Sequence, residues 1–192
     1  MTRIISIANQ KGGVGKTTTS VNLCASLSML GKRVLLVDLD PQGNATMGCG
    51  INKNDLDASV FDWLTTLKLV EEIVQETSAG FSLLPSNSDV TAAEINLLGR
   101  NGREFVMRNR LSKESNKYDY VVVDCPPALN ILTVNSLVAS TGILVPMQCE
   151  YYALEGLAAL MQTVEVIKNE SNPALEIEGV LRTMYDPRNG LA

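Results

Sequence analysis

Short apolar runs recur along the chain and alternate with longer amphipathic stretches. The runs carry no polar alternation, which is typical of strands covered on both faces and therefore of a parallel sheet. The first run, "IISIA", is followed by a glycine-rich loop, and the fourth, "YVVV", ends at Pro126-Pro127 after an acid and a cysteine. We predict six strands, at residues 4–8, 34–38, 81–86, 120–123, 143–146 and 179–184.

The amphipathic stretches predict helices between these strands. In the first, residues 17–30, Leu23, Leu27 and Leu30 share one face and Gly31 is a stop signal. Further helices are predicted at residues 59–77, 91–116, 132–140 and 154–170. The alternation predicts an α/β fold, with a mostly parallel twisted sheet and helices on both faces. We expect residues 1–192 to form a single domain that lacks its C-terminal part, because a helix would normally follow the last strand.

Composition narrows the chemistry. The chain has 192 residues, no histidine and a formal charge of −5, so His-based catalysis is excluded and DNA contact would need a local basic patch. No apolar run approaches the ~18 residues that span a bilayer. The cysteines are far apart and form no Cys-x-x-Cys pair, which favours free thiols: Cys24, Cys49, Cys125 and Cys149.

The stretch "QKGGVGKTT" has the requirements of a phosphate-binding loop. Gln10 replaces the first glycine of the usual Gly-x-x-x-x-Gly-Lys-Ser/Thr spacing. The glycines still allow the backbone amides to wrap a phosphate, Lys16 can neutralise the β- and γ-phosphates, and Thr17 can bind Mg²⁺. We predict that the nucleotide is bound by Gly12, Gly13, Val14, Gly15, Lys16, Thr17 and Thr18.

Three aspartates stand at the carboxyl ends of predicted strands. Asp124 ends the run "YVVVD", an apolar strand closed by an acid that holds Mg²⁺ through water. Asp38 and Asp40 follow the second strand and lie on the same side if the chain stays extended. The alternative for both Asp38 and Asp40 is an Asp-Pro turn that caps the next segment. Cys125 raises an iron–sulfur alternative, but no suitable second cysteine is evident.

Four separated stretches resemble the ParA/MinD family of P-loop ATPases with a deviant Walker A motif. They are "KGGVGKTT", "VLLVDLDPQGNAT", "YDYVVVDCPP" and "QCEYYALEG". Within that family, the chain resembles the Soj-type ParA partition ATPases in particular. The similarity extends over residues 4–191. The resemblance implies that Lys11 crosses a dimer interface to the nucleotide of the facing subunit. It also implies that Asp38 supports Mg²⁺ and that Asp40 positions the attacking water. A solvated lysine that only adds positive potential remains the alternative for Lys11.

The resemblance further implies a cycle and its partners. ATP and Mg²⁺ would close a homodimer that binds nonspecific DNA, and a ParB-like partner protein would trigger hydrolysis, in a cytoplasmic, nucleoid-associated protein without membrane contact. Arg188 is predicted to contact DNA, with a turn residue paired to Asp186 as the alternative. The basic residues within 100–117 are a second candidate surface, with a solvated helix face as the alternative. A MinD-like, membrane-cycling ATPase and a nucleotide-binding remnant without turnover are the other functions considered.

Overall fold

The computed structural model describes residues 2–114, 116–149, 151–186 and 188. Within them, seven strands form one sheet in the order β3-β4-β2-β5-β1-β6-β7, and every neighbouring pair is parallel except β3 and β4. The strands are β1 Arg3–Ile7, β2 Val34–Asp38, β3 Gln75–Glu76, β4 Ser82–Leu84, β5 Tyr120–Asp124, β6 Gly142–Gln148 and β7 Glu176–Thr183. The six predicted strands are confirmed, and β3 was missed.

Seven α-helices are present in the described part of the chain. They are α1 Lys16–Met29, α2 Asn44–Gly48, α3 Val60–Thr65, α4 Val90–Leu98, α5 Val106–Leu111, α6 Ile131–Ala139 and α7 Tyr151–Glu170. Alternate residues of β2 and β5 belong to different apolar clusters. Leu36 and Val122 pack with α1 and α2, whereas Leu35 and Val121 pack with the other helices. The sheet is therefore covered on both faces, which confirms the predicted fold class.

Helix α1 ends as the sequence predicts, with one correction to its apolar face. Gly31 has a φ of 73°, and the amides of Lys32 and Gly31 donate to the carbonyls of Leu27 and Ser28. This pattern is a Schellman motif, which requires a left-handed residue after the helix. Leu30 was predicted to share the buried face, but it lies beyond the last helical turn and is 74% exposed.

The helix predicted over residues 59–77 is wrong in its second half. The hydroxyls of Thr65 and Thr66 donate to the carbonyls of Phe61 and Asp62, both at 2.7 Å, and Thr66 adopts an extended conformation. Threonine side chains that bond to the preceding turn compete with helix propagation. The chain then forms a short 3₁₀ turn and β3, which pairs with β4 as an antiparallel hairpin.

The helix predicted over residues 91–116 is interrupted. Helix α4 stops before Gly99, and Gly102 has a φ of 65°, which a helix interior does not allow. Short 3₁₀ turns lie on both sides of α5. The guanidinium of Arg100 donates to the Leu64 and Thr65 carbonyls, so the break also ties α4 to the end of α3.

Candidate nucleotide site

The glycine-rich loop joins β1 to α1. Gly13 and Gly15 have φ angles of 74° and 86°, in the left-handed region where a side chain is disfavoured. Gly15 is the N-cap of α1, and no described side chain bonds to the first amides of the helix. These amides and the positive end of the helix dipole are therefore available to an anion. This geometry is the one expected of the predicted phosphate-binding loop.

Lys16 is held inside the loop. Its side chain is largely buried, and its Nζ donates to the main-chain oxygen of Lys11 at 3.2 Å. Burial lowers the pKa of Lys16, while the carboxylates of Asp124 and Asp40 act in the opposite direction. A desolvated ammonium with one carbonyl partner is suited to compensating the charge of a phosphate.

The Asp124 carboxylate accepts hydrogen bonds from two hydroxyl groups of α1. Thr17 Oγ1 donates to its Oδ2 at 2.8 Å, and Ser20 Oγ donates to its Oδ1 at 2.9 Å. Burial raises the pKa of Asp124 to about 6, although both hydrogen bonds favour the charged form. The sequence reasoning missed Ser20. Its position three residues after Thr17, on the same face of the helix, is the signal that could have found it.

Asp38 and Asp40 occupy different environments. Asp40 lines the cavity beside the loop, and its Oδ1 accepts a hydrogen bond from the Gln42 amide at 2.9 Å. Asp38 is completely buried below it, and its carboxylate accepts bonds from the Thr46 amide, the Thr46 hydroxyl and the Asp40 amide. Burial, and then the nearby Asp124, raise the pKa of Asp38 to about 7. The chain turns after Asp40, since the Gly43 amide donates to the Asp40 carbonyl, so the turn considered as an alternative is also present.

The cavity has a volume of about 530 Å³, within the range of small-molecule sites. The loop forms one side of it, and other loops at the carboxyl edge of the sheet complete it. Four lining residues were not assigned a nucleotide-binding role from the sequence: Gln42, Asn44, Pro127 and Met184. Met184 has a φ of 51°, which is rare for a residue other than glycine. The lining comprises Gly12, Gly13, Gly15, Lys16, Thr17, Thr18, Asp40, Gln42, Asn44, Pro127 and Met184.

Two side chains that the sequence reasoning missed fix the loop to neighbouring strands. The Asn9 side chain accepts a bond from the Lys11 amide at 3.0 Å and donates to the Pro146 carbonyl at 2.7 Å. The Thr183 hydroxyl donates to the Val14 carbonyl at 2.9 Å. Lys11 and Val14 are thus anchored through their backbones to β6 and β7, which no local sequence pattern reveals.

The donors present fit a nucleotide with magnesium better than a protein-chelated metal. No group of three or more Asp, Glu, Cys or His side chains that could hold a metal occurs among the described residues. Mg²⁺ in nucleotide sites usually keeps waters and shares phosphate oxygens, with one or two protein ligands. The Thr17 hydroxyl, with the Asp124 carboxylate behind it, suits that arrangement. The four cysteines are free thiols, as predicted.

The predicted DNA-binding residues are engaged in local contacts. Arg188 forms an exposed ion pair with Asp186, in which its Nε and terminal nitrogen approach the carboxylate at 2.9 and 2.7 Å. Several basic residues of the 100–117 segment donate to main-chain carbonyls: Arg100, Arg103, Arg108 and Arg110. These contacts give the four arginines local partners, and DNA binding by that segment stays a prediction. A role of Arg188 in DNA binding stays a prediction.

Comparison with known proteins gives one consistent family. The AAA_31 family model, described as an AAA domain, matches residues 2–177. The chain is 50% identical over 192 residues to the sporulation initiation inhibitor protein Soj of Bacillus subtilis, covering 100% of this chain and 76% of that protein. It is 46% identical to the chromosome partitioning protein ParA of Myxococcus xanthus, covering 99% of this chain and 68% of the relative.

A solved structure shares both fold and sequence. The crystal structure of cobyrinic acid a,c-diamide synthase from Mycobacterium smegmatis, with a bound ATP analogue and magnesium, superposes with a TM-score of 0.95 at 42% identity. The match covers 98% of this chain and 78% of that one. The chain belongs to the ParA/Soj family of P-loop ATPases.

Proposed function

We propose that this protein is a Mg²⁺-dependent ATPase of the partition type, which uses ATP binding and hydrolysis as a switch. The observation that carries the proposal is the cavity in which the glycine loop, Lys16, Thr17 and Asp40 meet, with Asp124 bonded behind Thr17. Relatives named for chromosome partitioning support it, as does the related structure solved with an ATP analogue and magnesium.

In the proposed reaction, the loop amides and Lys16 bind the β- and γ-phosphates. Magnesium, when bound, neutralises phosphate charge, and Thr17 and Asp124 are the residues that would hold it directly and through water. Asp40 orients the attacking water toward the γ-phosphorus. The new phosphorus–oxygen bond forms as the bond to the β-phosphate oxygen breaks, giving ADP and inorganic phosphate. Because phosphoryl transfer needs mainly positioning and charge stabilisation, Asp40 does not have to be a strong base.

The finer proposal is that two subunits close on Mg-ATP with Lys11 of each contacting the nucleotide of the other. Lys11 is at the mouth of the loop, and its amide is fixed by Asn9, which positions its backbone next to the site. A cation placed against developing phosphate charge stabilises the transition state. The closed homodimer would bind nonspecific DNA, with Arg188 as one contact, and a ParB-like partner would stimulate hydrolysis. Release and recapture of the protein on the nucleoid in the cytoplasm would then move a chromosome or plasmid.

Two other functions, which we do not propose, would give different experimental results. Among the described residues, no helix has the length and apolar character to cross a membrane; a MinD-like cycle would be shown by ATP-dependent binding to vesicles. The name of the Mycobacterium smegmatis protein suggests amide synthesis instead. In that case ATP turnover would require an acid substrate and a nitrogen donor, whereas a partition-type ATPase releases phosphate without either.

A phosphate-release assay with Mg-ATP tests the ATPase proposal. We expect slow turnover by the wild-type protein, none by Asp40→Ala, and unchanged turnover by Asp89→Ala, a matched change at an exposed acid outside the cavity. Equal turnover by the wild type and Asp40→Ala would remove Asp40 from the mechanism. Sedimentation and DNA gel shifts with ATP, ADP and no nucleotide then test the switch. Lys11→Ala should bind ATP and stay monomeric, while the exposed Lys32→Ala should pair normally.

A further inference from the structure

Thr46, in α2, is a buried polar residue outside the lining of the cavity. It is completely inaccessible to solvent, and its amide and hydroxyl donate to the same oxygen of Asp38, Oδ2, at 2.9 and 2.8 Å. Its hydroxyl oxygen also accepts a hydrogen bond from the Ser86 amide at 2.9 Å. A buried hydroxyl that both donates and accepts is fully satisfied, so the geometry around it is tightly defined.

Both neighbours of Thr46 hold the backbone of Asp40. The Oδ1 atom of Asp38 accepts a hydrogen bond from the Asp40 amide at 3.2 Å, and the Ser86 hydroxyl donates one to the Asp40 carbonyl at 2.7 Å. The Thr46 hydroxyl therefore joins two anchors, one on the amide side of Asp40 and one on its carbonyl side. We call Asp38, Thr46 and Ser86 the Thr46 clamp.

We propose that Thr46 and Ser86 are positioning residues for Asp40, and this inference rests on the proposed ATPase function. Asp40, in the loop between β2 and α2, lines the cavity. Its carboxylate can orient a water molecule only if the backbone that carries it is fixed in place. Asp38, which is completely buried and absent from that lining, acts through the same clamp rather than by direct contact with substrate. Ser86 lies two residues beyond the end of β4.

The clamp is suited to positioning because its bonds cross between elements. Ser86 follows β4, Thr46 lies in α2 and Asp38 ends β2, so the bonds fix the loop between β2 and α2 against a strand that it does not follow in sequence. Misplacement of a catalytic group by about 1 Å can cost about a hundredfold in rate. Loss of the hydroxyl should therefore reduce kcat more than it weakens nucleotide binding, which depends on the loop after β1.

Thr46→Val tests this, because it removes the hydroxyl and keeps the shape. We expect kcat to fall by about 10- to 100-fold, while the Kd for Mg-ATP, measured by calorimetry, changes by less than about threefold. Thr46→Ser keeps the hydroxyl and should restore kcat to within about threefold of the wild-type value. Ser86→Ala, which loses the bond to Asp40, should lower kcat in the same way as Thr46→Val.

Thr77→Val is the matched control. The Thr77 hydroxyl is also buried, donates to the Phe81 carbonyl and accepts from the Phe81 amide, but it lies in the β3–β4 hairpin away from the cavity. It should lower the melting temperature without changing kcat. If Thr46→Val and Thr77→Val both lose stability and keep wild-type kcat, the clamp is structural only and the inference is wrong.

Hydrogen exchange of the nucleotide-free protein separates this inference from the proposed function. Thr46→Val should speed exchange in residues 38–48, and Thr77→Val should not. Faster exchange together with a wild-type protein that hydrolyses nothing would refute the ATPase proposal while showing that the clamp exists. Unchanged exchange in Thr46→Val would overturn the clamp even if the wild type is an active ATPase.

Discussion

Gly43 is the N-cap of α2 and the last residue of the loop that carries Asp40, and its replacement by alanine probes how tightly that loop is built. Its φ of 60° costs a residue with a side chain about 1–2 kcal/mol. A Cβ at this position would also lie 2.9 Å from the carbonyl oxygen of Ser86 and 2.9 Å from Cδ of Lys53. The lysine can move, but the Ser86 backbone cannot move without disturbing the bond from its hydroxyl to the Asp40 carbonyl. Relief of such a contact adds about 1–3 kcal/mol.

Gly31→Ala is the control, because Gly31 has a φ of 73° and a Cβ there would have no atom within 4 Å. Both variants carry the same backbone strain, and the lower entropy of the unfolded chain cancels in the comparison. We expect Gly43→Ala to be less stable than Gly31→Ala by about 1–3 kcal/mol in urea unfolding. Gly43→Ala should also lose kcat, and Gly31→Ala should keep it. Equal stability and equal kcat in the two variants would refute the argument that the Ser86 backbone confines this loop.

The remaining predictions concern the cavity and the buried carboxylates. Lys16→Ala should abolish Mg-ATP binding in calorimetry, since it removes the principal charge on the β- and γ-phosphates; unchanged affinity would contradict the loop assignment. Gly12→Val should bind ATP, because a Cβ there meets no atom within 4 Å, yet should fail to dimerise in sedimentation; normal pairing would argue against close contact between two loops. Burial raises the pKa of Asp38 to about 7 and of Asp124 to about 6, so the folded, nucleotide-free protein binds protons that the unfolded chain has lost above about pH 4. Its melting temperature should therefore fall as the pH rises from about 5 to 7, and Asp38→Asn should flatten that slope; an equally steep slope would rule Asp38 out as its source.

The sheet and the loop were predictable because their signals are local. Unbroken apolar runs such as the one ending at Asp124 identify buried parallel strands, and the glycines before Lys16 identify the turn into α1. The helix ends at Thr65 and Leu98 were not predicted. There, threonine hydroxyls bonding to the preceding turn and a left-handed Gly102 outweigh helix propensity.

Most residues that support the site were missed because their contacts join parts of the chain that are far apart in sequence. Thr183 and Ser86 are far in sequence from the groups they hold, Val14 and Asp40, so only the fold reveals their contacts. Ser20 could have been predicted, because a second hydroxyl about one helical turn after Thr17 lies on the same face and bonds to the same carboxylate. Sequence reasoning identified residues that line the cavity and missed those that hold them in place.

The order of the strands explains why two of the aspartates have different surroundings although they end adjacent strands. In the parallel register of β2 and β5, Asp38 lies directly opposite Asp124. Neighbouring strands are about 4.8 Å apart, so two buried carboxylates there repel each other unless each is compensated. Asp124 is compensated from α1, on the side of the nucleotide loop, whereas Asp38 is compensated from Thr46, on the side of the loop that bears Asp40. One carboxylate is thus bonded to the helix that follows the glycine-rich loop, and the other is bonded to the helix that follows Asp40. The Asp124 charge raises the pKa of Asp38, so the two carboxylates interact across adjacent strands.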